Sequence, residues 1–110
     1  MKHEVSSKPV TGNVGTKVLH EDEKVKIWEM SLEPGEETDA HEHKLDYILV
    51  IIDGDKIAGI PHVKSKGDSA HYIEADVAPG SFYPLKKGGI EVARNIGKKR
   101  YYEILIELKE

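Results

Sequence analysis

The sequence predicts an all-β domain, an antiparallel sandwich or barrel of short strands. Three observations point there. Glycine and proline cluster at Pro34-Gly35, Asp53-Gly54-Asp55, Gly67-Asp68, Pro79-Gly80 and Gly88-Gly89, every 10 to 20 residues. Between them lie short apolar stretches, the spacing of strands joined by turns. No stretch repeats its apolar residues at the 3.6-residue helical period, which leaves room for one helical turn at most.

Taken in order, residues 1–15 hold little apolar material and read as an N-terminal arm on a domain of residues 16–110. An arm of this kind covers an open sheet edge, its own or a partner's. Residues 24–33 place Trp28, Met30 and Leu32 on one parity and Val25 and Ile27 on the other, as in a bulged or two-sided strand. Residues 47–52, YILVII, are rich in β-branched residues and read as a centrally buried strand. Residues 56–62 and 70–77 read as a strand pair joined by the polar stretch VKSKGDS. At the C-terminus Tyr102, Ile104, Ile106 and Leu108 face one way. Tyr101, Glu103, Glu107 and Lys109 face the other, with Leu105, giving a half-buried strand by strict alternation.

Composition bounds the function. A chain of 110 residues is one domain. Its 16 basic against 20 acidic residues leave a net charge of −4, so the basic footprint of a nucleic-acid binder is missing. There is no cysteine, which excludes disulfides, thiolate metal sites and cysteine nucleophiles and suits a reducing, cytoplasmic setting. The apolar run from Tyr47 to Ile52 is far short of a membrane span, and the N-terminal residues lack the apolar core of a secretory leader. No nucleophile elbow, phosphate-cradling glycine loop or dinucleotide fingerprint is present.

The chemistry concentrates at His41-Glu42-His43. On an extended segment residues i and i+2 share a face, with their side chains roughly 7 Å apart at the base. Imidazoles can lean together from there onto one ion at about 2.0–2.1 Å. The competing reading leaves both rings facing solvent. Asp39 has the same parity and is a candidate acceptor for an imidazole N–H.

The flanks shift the balance toward the metal reading. Gly35 is followed after five residues by His41-x-His43, after three more by Tyr47, and after six more by Gly54. Later come Gly80, Lys86, Gly88, Glu91 and Asn95. This pattern resembles the two-part signature of the cupin superfamily, over residues 24 to 108. The stretch EPGEETDAHEHKLDYILV is most similar to small single-domain cupins associated with β-alanine degradation. The resemblance implies an antiparallel cupin-type β-barrel, the double-stranded β-helix or jelly roll, holding a divalent metal on its inner face. Two positions depart from the family. Tyr47 stands where the family has a metal-binding Glu, and Glu91 where it has its third His. Lys86 replaces the motif proline.

Carried over by position, the resemblance makes His41, His43 and Glu91 the metal ligands. Two imidazoles and a carboxylate suit zinc, iron, manganese or nickel, with open positions for a small molecule. Tyr47 is expected to line the pocket. Asn95 falls at a family position that ties a turn; His62 and His71, in or beside predicted strands, read as satisfied or exposed histidines rather than ligands, and His3 and His20 carry no signal. Two functions follow. One is a metal-dependent cupin acting on or binding a small organic molecule, with a homodimer expected from the arm and no nucleic-acid or membrane partner. The alternative is a non-catalytic or metal-free ligand-binding or sensing cupin with a degenerate site.

Overall fold

A computed structural model describes residues 4–65 and 71–109. Their ten strands are β1 (Val10–Thr11), β2 (Lys17–Glu21), β3 (Val25–Leu32), β4 (Ala40–Glu42), β5 (Tyr47–Asp53), β6 (Lys56–Pro61), β7 (Ile73–Asp76), β8 (Phe82–Leu85), β9 (Ile90–Asn95) and β10 (Tyr101–Leu108). They form two five-stranded sheets, ordered β1-β4-β9-β6-β7 and β2-β3-β10-β5-β8. Every strand pair is antiparallel except β1 with β4. The expected all-β class and antiparallel pairing hold. The expected 56–62 and 70–77 pair is β6 with β7, registered Gly59 to Ile73. Ala70, the Gly67-Asp68 turn, most of the polar connector and His3 lie outside the described residues.

The sheets face each other across two apolar clusters. Trp28, Tyr47 and Leu105 of the second sheet enclose Val14, with Leu49 against them. Met30, Leu32, Ile51 and Tyr101 pack on Ile57 and Ala93 of the first sheet. Val14 belongs to the arm yet is only 1% exposed. Gly15 beside it allows this approach, because a Cβ there would sit 2.8 Å from Trp28 Cβ and 2.9 Å from the Glu29 carbonyl oxygen.

Residues 4–8 lie across the outer face of the first sheet. Ser6 pairs in parallel with His62, and Arg94 holds the Glu4 carboxylate with two bonds of 3.1 and 2.7 Å. Beneath them Ala40, Ile60 and Val92 form a third buried cluster. The arm therefore covers its own sheet.

Two sequence expectations need correction. The YILVII strand is buried on one face only. Tyr47 and Ile51 point inward, Ile48 and Val50 outward and half-buried, and Ile52 is exposed. On β10 the alternation is strict, but the buried face is the one carrying Tyr101, Glu103, Leu105 and Glu107, while the isoleucines point outward. Among the described residues, no helix is long and apolar enough to cross a membrane.

Candidate metal centre

The site is built by register. β4 and β9 are neighbours, with His41 directly opposite Glu91. Directly opposed residues in an antiparallel pair point to the same side, so both reach into the space between the sheets. His43 follows β4 and is gripped by the Gly88-Gly89 turn: its N–H donates to the Gly89 carbonyl at 2.8 Å, and its carbonyl accepts from the Gly88 N–H at 2.7 Å. Gly88 has φ +116°, a conformation an L side chain would strain.

The donor atoms converge. His41, His43 and Glu91 each offer one ligand atom, and these lie within 4.8 Å of one another. His43 Nε2 is 3.4 Å and His41 Nε2 3.9 Å from Glu91 Oε2. Ligands bound at about 2.1 Å around one ion stand roughly 3 to 3.5 Å apart, so modest closure would bring all three into a coordination sphere. Both rings are buried, while the Glu91 side chain is 39% exposed and opens the site to solvent.

The imidazoles are prepared differently. His41 Nδ1 lies 3.0 Å from the Asp39 carbonyl oxygen. With Nδ1–H donating there, Nε2 keeps its lone pair free toward Glu91. The expected Asp39 contribution therefore comes from its main chain, not its carboxylate. His43 has both ring nitrogens buried without a hydrogen-bond partner; the 3.4 Å approach to Glu91 is poorly aligned for one. Such unpaired buried groups are costly in a folded protein, and an ion between these three side chains would satisfy Nε2. The donor set thus fits a divalent metal.

Electrostatics agree with a neutral His41 and an ionised carboxylate. Burial, reinforced by His43, holds the His41 pKa below its ordinary value against the pull of Glu91. Burial works to raise the Glu91 carboxyl, yet the two imidazoles outweigh it and leave the carboxyl below its ordinary value. Tyr47 stacks on His43, with ring centroids 3.9 Å apart and planes 8° off parallel. Burial first, then Glu91 and Glu103, push its phenol well above the ordinary range. It therefore offers the site a neutral aromatic wall and no phenolate.

Glu103 carries no sequence signal of its own, because its strand reads as apolar on the opposite parity. It is 3% exposed on the inner face of β10 and accepts a short hydrogen bond from the Tyr101 hydroxyl. Burial pushes its carboxyl up from 4.5 to about 7, opposed by the Tyr101 bond and aided by Glu91. Farther along the same face, Glu107 accepts from the Trp28 indole N–H at 2.8 Å.

The remaining candidates are structural. Asn95 is fully buried: its amide donates to the Leu32 and Lys99 carbonyls and its oxygen accepts from the Gly97 N–H, tying the β9–β10 turn. His62 is buried and satisfied by the Lys8 carbonyl and the Lys64 N–H, pinning the arm. His71 is exposed, and His20 pairs with Asp22 at the surface. Lys86 and Lys87 are exposed as expected of a turn. A groove of about 670 Å³ lies between the β2–β3 edge and residues 36–39, lined by Lys17, Lys26, Trp28, Glu36 and Thr38. His41, His43 and Glu91 do not border it, while Thr38 and Asp39, which do, touch the His41 ring from behind.

No protein-family model matches the chain, and no curated protein sequence matches it. Solved structures do. A cupin domain from Bordetella pertussis Tohama I superposes with a TM-score of 0.72 at 21% identity, covering 100% of this chain and 99% of that one. A double-stranded β-helix protein from Klebsiella pneumoniae gives 0.64 at 18%, covering 91% and 83%. A cupin superfamily protein from Desulfitobacterium hafniense gives 0.59 at 19%, covering 99% and 97%. At these identities the likeness is one of fold: the chain adopts the cupin, or double-stranded β-helix, fold.

Proposed function

We propose that this chain is a small metal-binding cupin that acts on or binds a small organic molecule at a divalent ion held by His41, His43 and Glu91. The observation that carries this reading is the convergence of three ligand atoms within 4.8 Å around a buried histidine whose ring nitrogens have no other partner. Zinc, iron, manganese and nickel all suit two imidazoles and a carboxylate. When bound, such an ion supplies Lewis acidity to a carbonyl or activates water or dioxygen. The chain's own residues do the rest. The Asp39 carbonyl orients His41, Tyr47 stacks against His43 and bounds the pocket, and the exposed side of Glu91 marks the way in.

The test is elemental analysis of untagged protein, wild type and His41→Ala. One equivalent of metal in wild type, lost in the variant, is expected; metal-free wild type that takes up none of the four ions on titration refutes the centre. A second reading, a ligand-binding or sensing cupin without catalysis, is favoured by Tyr47. Its protonated phenol replaces an anionic fourth ligand with an uncharged wall.

A further inference from the structure

His41 depends on a short peptide, residues 38 and 39, that belongs to no strand. The Asp39 carbonyl that faces His41 Nδ1 also accepts from the Thr38 hydroxyl at 2.7 Å. On one side this peptide is bonded to β9. The Thr38 N–H donates to the Ala93 carbonyl at 2.9 Å, and the Ala93 N–H donates to Thr38 Oγ1 at 3.0 Å. The Thr38 carbonyl is taken by the arm: Lys8 Nζ donates to it at 2.9 Å and to Glu37 Oε2 at 2.8 Å. The N-terminal residues reach the centre at two more points. β1 pairs with β4 and sets Thr11 beside His41, so the ligand strand is not left as a sheet edge. Val14 then enters between the sheets and packs with Tyr47, whose ring lies on His43.

The arm's own hold on the domain is modest. The Ser6 N–H donates to the Pro61 carbonyl at 2.8 Å, and the Ser6 carbonyl accepts from the Val63 N–H at 2.9 Å. His62 Nε2 lies 2.8 Å from the Lys8 carbonyl, and Arg94 bonds both Glu4 and Glu37. The ion pairs are partly open to water, with Lys8 40% and Arg94 28% exposed, so each contributes little by itself. A segment fastened in this way opens locally, without the domain unfolding.

We infer that residues 4–11 are a strap whose docking and the binding of the ion form one linked equilibrium, with Lys8 the positioning residue for His41. The inference rests on the metal-centre reading above. A docked strap fixes the peptide whose carbonyl keeps the His41 proton on Nδ1 and leaves the Nε2 lone pair toward Glu91. An undocked strap leaves β4 as an edge strand and frees that peptide to turn, so the ion binds a protein that is competent only part of the time, and more weakly. By reciprocity, the bound ion holds the strap down by the same factor. Charge separates this role from an electrostatic one. Lys8 is a cation, and by Coulomb's law its removal favours a nearby metal ion. Weaker metal binding without Lys8 is therefore a mark of positioning.

Calorimetric titration of untagged protein with Zn²⁺ alone tests this. A donor set that holds iron or manganese binds zinc more tightly still, so zinc serves as the probe for either. Lys8→Ala is expected to weaken binding by about fivefold or more, the lower end of usual site couplings. Lys8→Arg keeps a donor for the Thr38 carbonyl and is expected to restore most of the loss. Ser6→Pro deletes the donor to Pro61, unfastens the strap at its other end and is expected to act as Lys8→Ala does. Lys99→Ala removes the same charge from an exposed pair with Asp53 and is expected to leave affinity unchanged. In hydrogen exchange, saturating zinc is expected to slow the Ser6 amide by about fivefold or more. The Ser81 amide, bonded to Ala78 in the turn after β7, is expected not to change. Zinc bound equally well by wild type, Lys8→Ala and Ser6→Pro, or a Ser6 amide indifferent to zinc, overturns the inference and leaves the centre standing. Wild type that binds no zinc refutes the centre itself, and the strap's role with it.

Discussion

Replacing Glu103 by Gln should reshape the dependence of stability on pH. The wild-type carboxyl rises from 4.5 to about 7 on folding. A carboxyl with a raised folded-state pKa holds its proton longer in the native state. Its contribution is therefore fully present below pH 4.5 and is lost as pH rises through 7. The shift of roughly 2.5 units, at about 1.4 kcal/mol each, amounts to on the order of 3 kcal/mol across that window. His41 works in the opposite direction, because its lowered pKa makes stability rise with pH up to about 6.5. Wild type alone therefore mixes two slopes, and the difference between wild type and Glu103→Gln isolates one. Gln keeps an oxygen for the Tyr101 hydroxyl and cannot ionise. Urea unfolding with a chelator present, from pH 4.5 to 8.5, should show the variant near wild type at the acid end. At pH 8 it should be more stable by up to about 3 kcal/mol, a Tm gain of roughly 10 °C or more. Parallel curves for the two proteins across the range would refute the assignment of a buried, high-pKa carboxyl.

Asn95→Ala removes three bonds from a fully buried position and strands two carbonyls and an N–H; thermal unfolding should show a loss of about 2–4 kcal/mol. Leu105→Ala, at a site 1% exposed between the sheets, should cost about 2–5 kcal/mol in chemical denaturation with the circular dichroism spectrum retained. Metal affinity followed by isothermal titration should fall as the imidazoles protonate, and for His41 that fall should lie below the ordinary imidazole range because burial already disfavours its charged form. An affinity independent of pH between 5 and 8 would count against histidine ligation.

Which elements the sequence disclosed follows from their place in the sheets. β3, β5, β6, β7 and β10 are legible because each is an apolar or alternating run bounded by a turn. The edge strands β2 and β8 show no apolar–polar alternation, since KVLHE sets its two apolar residues side by side and FYPL is apolar throughout with a proline inside it. β9 was hidden for another reason: its inner face carries Glu91, Ala93 and Asn95, where the site and a turn lock displace apolar residues. β10 shows the same conflict more sharply. Its isoleucines point outward and its glutamates inward, so hydrophobicity alone points to the wrong core face. The His41–His43 pair is legible from two-residue periodicity. Glu91 comes from the motif spacing, and the pairing of β4 with β9 explains why it lands opposite His41. Glu103 needed the three-dimensional register.

The chain contains a single tryptophan, and the fold puts it to use as an optical gauge. Trp28 is 5% exposed, its indole N–H is tied to Glu107, and it packs in one cluster with Tyr47, whose ring lies flat on His43. Emission from this lone indole, excited beyond the tyrosine band, is thus wired, through one aromatic neighbour, to the histidine pair. Occupation or collapse of the interior becomes readable in an unlabelled sample, with no second indole to dilute the change.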